Sequence, residues 1–150
     1  AMQIPSYRQT TAKDLILLTA SSQLTPTVGG GTSVALDDKY VLTEKETAKV
    51  MTATAAYNTA LKGIAASKNL AFVDANTKMM ELSTASGIQW DGVKYTATFV
   101  TGGSFSLDGV HPTGRGYAII ANEFIKAINL KYRSTLPMVN VNNYSGVTFP

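Results

Sequence analysis

The segment Ser-Leu-Asp-Gly-Val-His-Pro-Thr-Gly-Arg-Gly-Tyr, residues 106–117, contains the only histidine of the chain, His111, three residues after Asp108. Gly109 gives the backbone the freedom to make a tight turn between the two side chains. Such a turn would bring the carboxylate to the Nδ1–H of the ring, fixing the tautomer and leaving Nε2 free as a base. A histidine held in this way can take a proton from a serine hydroxyl and return it to a leaving group.

The same segment has a second interpretation, an ordinary turn that opens a helix. Aspartate and glycine are common turn residues, so Asp108 could cap a turn while His111 lies at the surface. Under both interpretations a helix follows, because Pro112 suits a first helical turn and Thr113 suits an N-cap. Apolar residues then recur at helical spacing and predict a wide core-facing stripe, namely Tyr117, Ile120, Ala121, Phe124, Ile125 and Ile128.

A helix and a strand are predicted upstream of this segment. Thr43-Glu-Lys-Glu46 is a capping box, and it predicts a helix that runs to about Lys68 and ends at Asn69. Leu70–Asp74 then predicts a buried strand, and helix, short turn and strand form the second half of a parallel crossover unit. The fold class expected from this order is α/β. One face of the helix predicts a buried stripe made of Val50, Ala53, Tyr57, Leu61 and Ile64.

Shorter elements are expected in the rest of the chain. They are a buried strand at 15–18, a flexible loop at 25–33, a hairpin arm at 33–41, a helical turn or two at 76–82 and a half-exposed strand at 93–100. The loop at 25–33 contains three consecutive glycines, but no Gly-Lys-Ser/Thr follows them. The glycines therefore predict a loop rather than a phosphate cradle.

The composition excludes several classes of function. The 150 residues are 45% hydrophobic, which is enough for one domain with a core. The net charge of +3 comes from scattered basic residues, so no nucleic-acid surface is predicted, and no apolar run approaches the ~18 residues of a membrane span. The absence of cysteine excludes disulfides and thiolate chemistry, and neither a metal nor a cofactor is predicted. Asp37-Asp38 could ligate a cation, but a solvated turn is the favoured interpretation.

The extended pattern of the opening segment is similar to a known family. Asp108-Gly-Val-His-Pro-Thr113, followed by Gly116-Tyr117 and an apolar helix, resembles the last block of the SGNH (GDSL) hydrolases. Residues 69–76 and 102–117 most resemble bacterial lipases or esterases of that superfamily, and the similarity extends over 43–132. The resemblance implies that Asp108 orients His111, the base of a Ser-Asp-His triad. It also implies an ester or lipid-like substrate and a flavodoxin-like three-layer α/β/α fold, of which this chain holds the C-terminal part with an incomplete sheet.

The nucleophile that the resemblance requires does not stand out in the sequence. Neither the Gly-Asp-Ser block that carries the serine nor the Gly-x-Asn-Asp block of the oxyanion hole occurs. Gly102-Gly-Ser-Phe-Ser106 differs from a nucleophile elbow, because the residue two after Ser104 is serine rather than glycine. Ser21 and Ser22 remain as candidates, but they also lack the elbow glycine. We therefore expect a hydrolase fragment that is inactive alone and that either pairs with a missing N-terminal half or self-associates.

Several further expectations concern the chain as a whole. It is predicted to be one partial domain, with an irregular, insertion-like segment at 1–42, the family-like core at 43–132 and an extended tail at 133–150. The start at Ala1 shows no signal peptide, which leaves the compartment open, although a secreted or cell-envelope location would suit the parent enzyme. The alternative function is a non-catalytic binding module, with the asparagine-rich tail and an aromatic loop as its contact surface. The loop's aromatic residues either line a substrate pocket or pack against the core, and they are Trp90, Tyr95, Phe99 and Phe105.

Overall fold

The structure is a computed structural model that describes residues 7–147. It divides into two compact units, Ala1–Tyr57 and Asn58–Pro150, with the boundary inside the longest helix. The predicted segment boundaries at residues 42 and 132 stay predictions. Between residues 7 and 147, no helix combines the length and the apolar character that crossing a bilayer would need.

The first unit contains one small antiparallel sheet. Strand β1, Leu15–Ile16, pairs with β2, Val41–Leu42, so that Leu15 lies opposite Leu42. Short 3-10 helices follow β1 at Leu18–Ser22 and precede β2 at Asp38–Tyr40. The predicted buried strand at 15–18 is wrong in length and in burial, because Leu15, Ile16 and Leu18 are each about half exposed. A two-residue pairing leaves most of this apolar run without a covering layer.

A carboxylate joins the segment before β1 to the start of the long helix. The Arg8 guanidinium donates to both oxygens of Asp14 at 2.6 and 2.7 Å, and the Glu44 amide donates to the same carboxylate at 3.0 Å. The side chain of Asp14 is fully buried. These hydrogen bonds, that of Arg8 above all, hold the pKa of Asp14 well below its usual range.

Helix α1, Glu44–Ser67, agrees with the prediction in its extent. The capping box is formed, since the Glu46 carboxylate accepts from the Thr43 amide at 2.8 Å and from the Thr43 hydroxyl at 2.6 Å. Asn69 adopts a left-handed conformation (φ 57°) just beyond the helix. The predicted buried stripe is wrong: no described element covers this face, and its four large side chains, those of Val50, Tyr57, Leu61 and Ile64, are 55–69% exposed.

The second unit is built around a hairpin and a helix. Helix α2, Ala75–Leu82, is capped by Asp74, whose carboxylate accepts from the Thr77 amide at 3.0 Å. Strands β3, Ile88–Trp90, and β4, Val93–Tyr95, form an antiparallel hairpin, so only the start of the predicted strand at 93–100 is confirmed. Helix α3, Gly114–Tyr132, follows the hairpin. The core of this unit consists of Leu82, Ile88, Tyr95, Ala118, Ile119 and Val141.

The segment Leu70–Asp74 is not a strand, which corrects the sequence-based prediction. Its middle residues are half buried, but the amides of Phe72 and Val73 have no hydrogen-bond partner among residues 7–147. The Ala71 amide donates to the Tyr132 hydroxyl at 3.2 Å. Residues 7–147 combine three α-helices with two small antiparallel sheets, so the fold is mixed α/β. These residues contain no parallel sheet.

Helix α3 buries a different face from the one that its apolar spacing predicts. Tyr117, Ile120 and Phe124, which lie along the predicted core stripe, are 41–55% exposed. The buried positions include Ala118, Ile119 and Asn122, and at ~100° per residue these lie on nearly the opposite side of the helix. Of the predicted stripe only Ile125 and Ile128 are half buried.

The segment after α3 explains this rotation. The side chain of Asn122 makes two hydrogen bonds with the backbone of Val139. Its Nδ2 donates to the Val139 carbonyl at 2.8 Å, and its Oδ1 accepts from the Val139 amide at 2.9 Å. Asn129, two helical turns later, makes the same pair of bonds with Leu136, both at 2.9 Å. The chain is thereby held along one side of α3, where Val141 enters the core. Residues 134–140 carry no helix or strand, and a short 3-10 helix follows at Val141–Asn143; the extended tail at 133–150 stays a prediction.

Candidate active site

Residues 106–111 form a closed turn at the start of α3. The Ser106 amide donates to the His111 carbonyl at 2.8 Å, and the Gly109 amide donates to the Ser106 carbonyl at 3.0 Å. Gly109 has a φ of 70°, a left-handed conformation that glycine adopts without strain. Phe105 and Pro112 form an antiparallel bridge that closes the base of the turn. The turn therefore has a defined backbone geometry rather than an open one.

Within this turn the Asp108 carboxylate contacts the imidazole ring. Asp108 Oδ2 lies 2.6 Å from His111 Nδ1. The other oxygen, Oδ1, accepts from the Ser106 hydroxyl at 2.7 Å and from the amides of Val110 and His111 at 2.9 Å each. The predicted contact between carboxylate and ring is confirmed. The turn-capping interpretation also holds, because the same carboxylate caps the turn.

These hydrogen bonds determine the ionisation of the carboxyl group. The Ser106 hydroxyl, the Val110 amide and the His111 ring hold the pKa of Asp108 well below its usual range. Asp108 is therefore a carboxylate at neutral pH, the form that accepts a hydrogen bond from Nδ1–H. With the Nδ1 proton directed at Asp108, the neutral ring presents Nε2 as its acceptor.

The dyad lies at the surface. The side chain of His111 is 72% exposed and that of Asp108 is 50% exposed. No described residue forms a hydrogen bond with Nε2 of His111. The ring nitrogen that would act as base is therefore open to an incoming hydroxyl. The site is also open to water, which weakens electrostatic interactions that a closed site would strengthen.

The segment around the start of α3 fixes the position of the turn. The Thr113 hydroxyl accepts from the Gly116 amide at 3.1 Å and donates to the Gly103 carbonyl at 2.8 Å, which confirms Thr113 as the N-cap. The Arg115 side chain donates through Nε to the Tyr144 carbonyl at 2.9 Å, so the tail contacts the first turn of the helix. The turn that holds the dyad is attached to α3 on one side and to the 103–104 segment on the other.

In the second unit, neither serine next to the dyad forms a hydrogen bond with the His111 ring. Ser104 is 2% exposed and its hydroxyl has no partner among the described residues. Ser106 donates to Asp108 rather than to the ring. Ser21 and Ser22 are exposed residues of the 3-10 helix in the first unit, whereas the dyad belongs to the second unit.

The four aromatic residues proposed for a pocket do not share one environment. Tyr95 is 1% exposed and its hydroxyl donates to Asn142 Oδ1 at 2.5 Å, so it takes the core-packing role of the two predicted roles. Trp90 packs against the same core and has Lys126 Nζ 4.2 Å from its ring centre. Phe105 is half buried, while Phe99 is 47% exposed.

The first unit contains open grooves. Two open grooves of about 970 and 370 Å³ are lined by residues of the first unit, from Tyr7 to Lys45. Asp37, one of the two acidic residues considered for a cation, forms an ion pair with Lys39 at 3.3 Å. Within the described part of the chain, no three histidine or acidic side chains come together in a way that could hold a metal ion.

Sequence reasoning missed the contributions of Ser106 and the tail asparagines. Ser106 stands two residues before Asp108, a spacing typical of local side-chain hydrogen bonds in turns, so a signal was present. Asn142 bonds to Tyr95 and to the Asp91 carbonyl, and Asn140 accepts from the Asn142 amide. Asn140 and Asn142, which belong to the tail expected as a contact surface of a binding module, thus form hydrogen bonds with residues of their own unit.

Comparisons of the chain with protein-family models, with curated proteins and with solved structures found no match. The resemblance to SGNH hydrolases therefore rests on the residues of the sequence alone.

Proposed function

We propose that this chain is the acid–base part of a serine ester hydrolase of the SGNH type. The observation that carries the proposal is the 2.6 Å contact between Asp108 Oδ2 and His111 Nδ1, with Nε2 open to a reactant. A charge-assisted bond of this kind orients the ring and stabilises the imidazolium that forms during proton transfer. The finer fold that we propose is the C-terminal part of a flavodoxin-like α/β/α sandwich.

In the proposed reaction His111 Nε2 takes the proton of a serine hydroxyl as the serine oxygen bonds to the ester carbonyl carbon. The imidazolium then gives this proton to the alcohol oxygen as the carbon–oxygen bond of the ester breaks, which leaves an acyl-serine. In the second half of the reaction His111 Nε2 takes a proton from water as the water oxygen bonds to the acyl carbon. The imidazolium then returns this proton to the serine oxygen as the acyl-serine bond breaks, and the carboxylic acid is released. Asp108 remains a carboxylate throughout and stabilises the charged ring, in keeping with its lowered pKa.

We propose that the serine and the oxyanion donors belong to another polypeptide segment. The absence of a Gly-Asp-Ser block and of any serine hydroxyl bonded to Nε2 in the described residues supports this. A further support is the exposed face of α3 formed by Tyr117, Ile120 and Phe124. Large apolar side chains grouped on one helix face are typical of an interface. The unpartnered amides of Phe72 and Val73 would suit the added strand of a larger sheet.

An ester-hydrolysis assay on this polypeptide tests the acid–base role. We expect only slow hydrolysis of p-nitrophenyl acetate, because an exposed imidazole without a nucleophile and an oxyanion hole retains little of a triad's power. The protein-dependent rate should disappear in His111→Ala, fall in Asp108→Asn and stay unchanged in Ser22→Ala. Equal hydrolysis rates for the native chain and His111→Ala would contradict the acid–base role of His111 and favour the non-catalytic binding module. Fast turnover abolished by both His111→Ala and Ser22→Ala would show that the chain supplies its own nucleophile.

The exposed face of α3 leads to a prediction about association. The isolated chain should self-associate at micromolar concentration, and the double substitution Ile120→Glu with Phe124→Glu should return it to a monomer of 15.9 kDa. Charges at these 41% and 53% exposed positions oppose apolar contact but should change the stability of the fold by less than ~0.5 kcal/mol. Light scattering coupled to size-exclusion chromatography measures the mass. The matched control is Leu130→Glu, at an 87% exposed residue away from this face of the helix, which should leave association unchanged. A native chain that is monomeric at every concentration would contradict the prediction.

A further inference from the structure

We infer that Ser106 is a positioning residue of the dyad: its hydroxyl holds the Asp108 carboxylate so that Oδ2 alone serves the imidazole. This inference rests on the dyad of the proposed function, and it concerns a residue that lies outside the predicted triad. Ser106 contacts neither ring nitrogen in the structure and would act only through Asp108.

The geometry divides the two carboxylate oxygens between two tasks. Oδ1 accepts three hydrogen bonds, from the Ser106 hydroxyl at 2.7 Å and from the amides of Val110 and His111. Oδ2 has the His111 ring, at 2.6 Å, as its only side-chain partner among the described residues. Three donors at Oδ1 oppose rotation of the carboxylate about its Cβ–Cγ bond. The orientation of Oδ2, and with it the tautomer of the ring, follows from the partners of Oδ1.

Ser106 is the one side-chain donor in this set, and the two other donors are backbone amides that any residue would supply. The hydrogen bond from the Ser106 hydroxyl is also the largest single cause of the lowered pKa of Asp108. The Ser106 position is defined independently of the carboxylate, since its amide donates to the His111 carbonyl and its own carbonyl accepts from the Gly109 amide. The Ser106 backbone is therefore held by bonds of its own, and only the side-chain rotamer has to be ordered to form the bond to the carboxylate.

The exposure of the site makes this restraint important. In a buried triad, surrounding side chains limit how the carboxylate rotates, but the Asp108 side chain is 50% exposed and water competes for both oxygens. A local hydroxyl fixed by the turn supplies the restraint that packing does not supply here. If Ser106 only stabilised the turn, its loss would lower stability and leave the ring tautomer unchanged.

Nitrogen-15 NMR of the imidazole measures the tautomer directly. His111 is the only histidine, so its ring signals need no assignment by mutagenesis. At a pH where the ring is neutral, the native chain should favour the Nδ1–H tautomer. Ser106→Ala should lower the ratio of Nδ1–H to Nε2–H by about three- to tenfold, the range that corresponds to losing one hydrogen bond of ordinary net strength. Ser106→Thr, which keeps the hydroxyl, should restore the ratio.

Two further variants serve as controls. Asp108→Asn should abolish the preference for Nδ1–H, which defines the full effect. Ser83→Ala removes an exposed serine that also has a local hydrogen bond, from its hydroxyl to the Met79 carbonyl at 2.9 Å, and should leave the ratio unchanged. Backbone amide spectra of each variant establish that the turn and α3 are intact. An unchanged ratio in a folded Ser106→Ala variant overturns the inference.

The same samples separate this inference from the proposed function. A tautomer ratio that depends on Ser106, together with ester hydrolysis that does not depend on His111, would retain the positioning role and refute the hydrolase role. Hydrolysis that depends on His111, with a ratio indifferent to Ser106, would refute the positioning role alone. Where both hold, the His111-dependent rate of Ser106→Ala should fall in the same proportion as the ratio.

Discussion

Replacing Asn122 by alanine is expected to lower the free energy of unfolding of the second unit by about 2–4 kcal/mol. The Asn122 side chain is fully buried and forms two hydrogen bonds with the backbone of Val139. Alanine would leave both the amide and the carbonyl of Val139 without a partner near the core, and an unsatisfied buried group costs about 1–3 kcal/mol. Loss of these bonds would also free the segment that covers this side of α3.

Urea unfolding followed by the fluorescence of Trp90, the only tryptophan, reports on this unit. The control is Asn129→Ala, which removes the same pair of bonds at Leu136, and a third from the Ser134 hydroxyl at 2.8 Å, in a more exposed setting. It should cost about 1 kcal/mol or less. If the two variants lose equal stability, burial is not what makes Asn122 important. If Asn122→Ala changes stability by less than ~0.5 kcal/mol, the tail is not held as the structure describes.

Replacing Tyr95 by alanine is expected to lower the free energy of unfolding of the second unit by about 3–5 kcal/mol. Tyr95 is 1% exposed and is the largest fully buried side chain between residues 7 and 147, so its removal would leave a cavity among Ile88, Ile119 and their neighbours. This result would separate the core-packing role of Tyr95 from the alternative that it lines a substrate pocket. A pocket-lining residue would lose ligand contacts with a much smaller effect on folding.

Tyr95→Phe isolates the contribution of the phenol. It keeps the ring in the core and removes the 2.5 Å hydrogen bond to Asn142, so we expect a loss of about 1 kcal/mol. The same urea experiment with Trp90 fluorescence measures both variants. A loss as large as that of Tyr95→Ala would mean that the hydrogen bond to the tail, rather than apolar burial, is the main contribution. Small losses in both variants would contradict the placement of Tyr95 in the core.

Both predictions concern the tail, and the tail also reaches the candidate site. Asn122 holds Val139, Asn142 contacts Tyr95, and a few residues later the Tyr144 carbonyl accepts from the Arg115 side chain in the first turn of α3. The dyad at 108–111 immediately precedes this helical turn. The asparagine-rich tail thus links the core of the unit to the helix end that holds the acid–base pair.

Features that depend on neighbours in the chain could be predicted from the sequence. The capping box at 43–46, the cap at Thr113 and the contact of Asp108 with His111 each join residues three positions apart, and all are formed. A hydrogen bond over so short a separation needs only a local backbone conformation, which glycine, proline and hydroxyl residues specify. For this reason the candidate acid–base pair was visible in the sequence, and Ser106 could have been found with it.

Only the tertiary structure decided which surfaces are buried. Apolar spacing identifies a helix face that can be buried, but burial requires another element against that face. The large side chains of the α1 stripe have no such element in the described chain and remain exposed, as do Tyr117, Ile120 and Phe124 on α3. On α3 a mid-helix asparagine, Asn122, binds the returning tail instead, a contact over 17 residues that helical periodicity does not encode. The sequence by itself determined the turn and its dyad, because those contacts are local; the side of α3 that packs was decided by a distant segment.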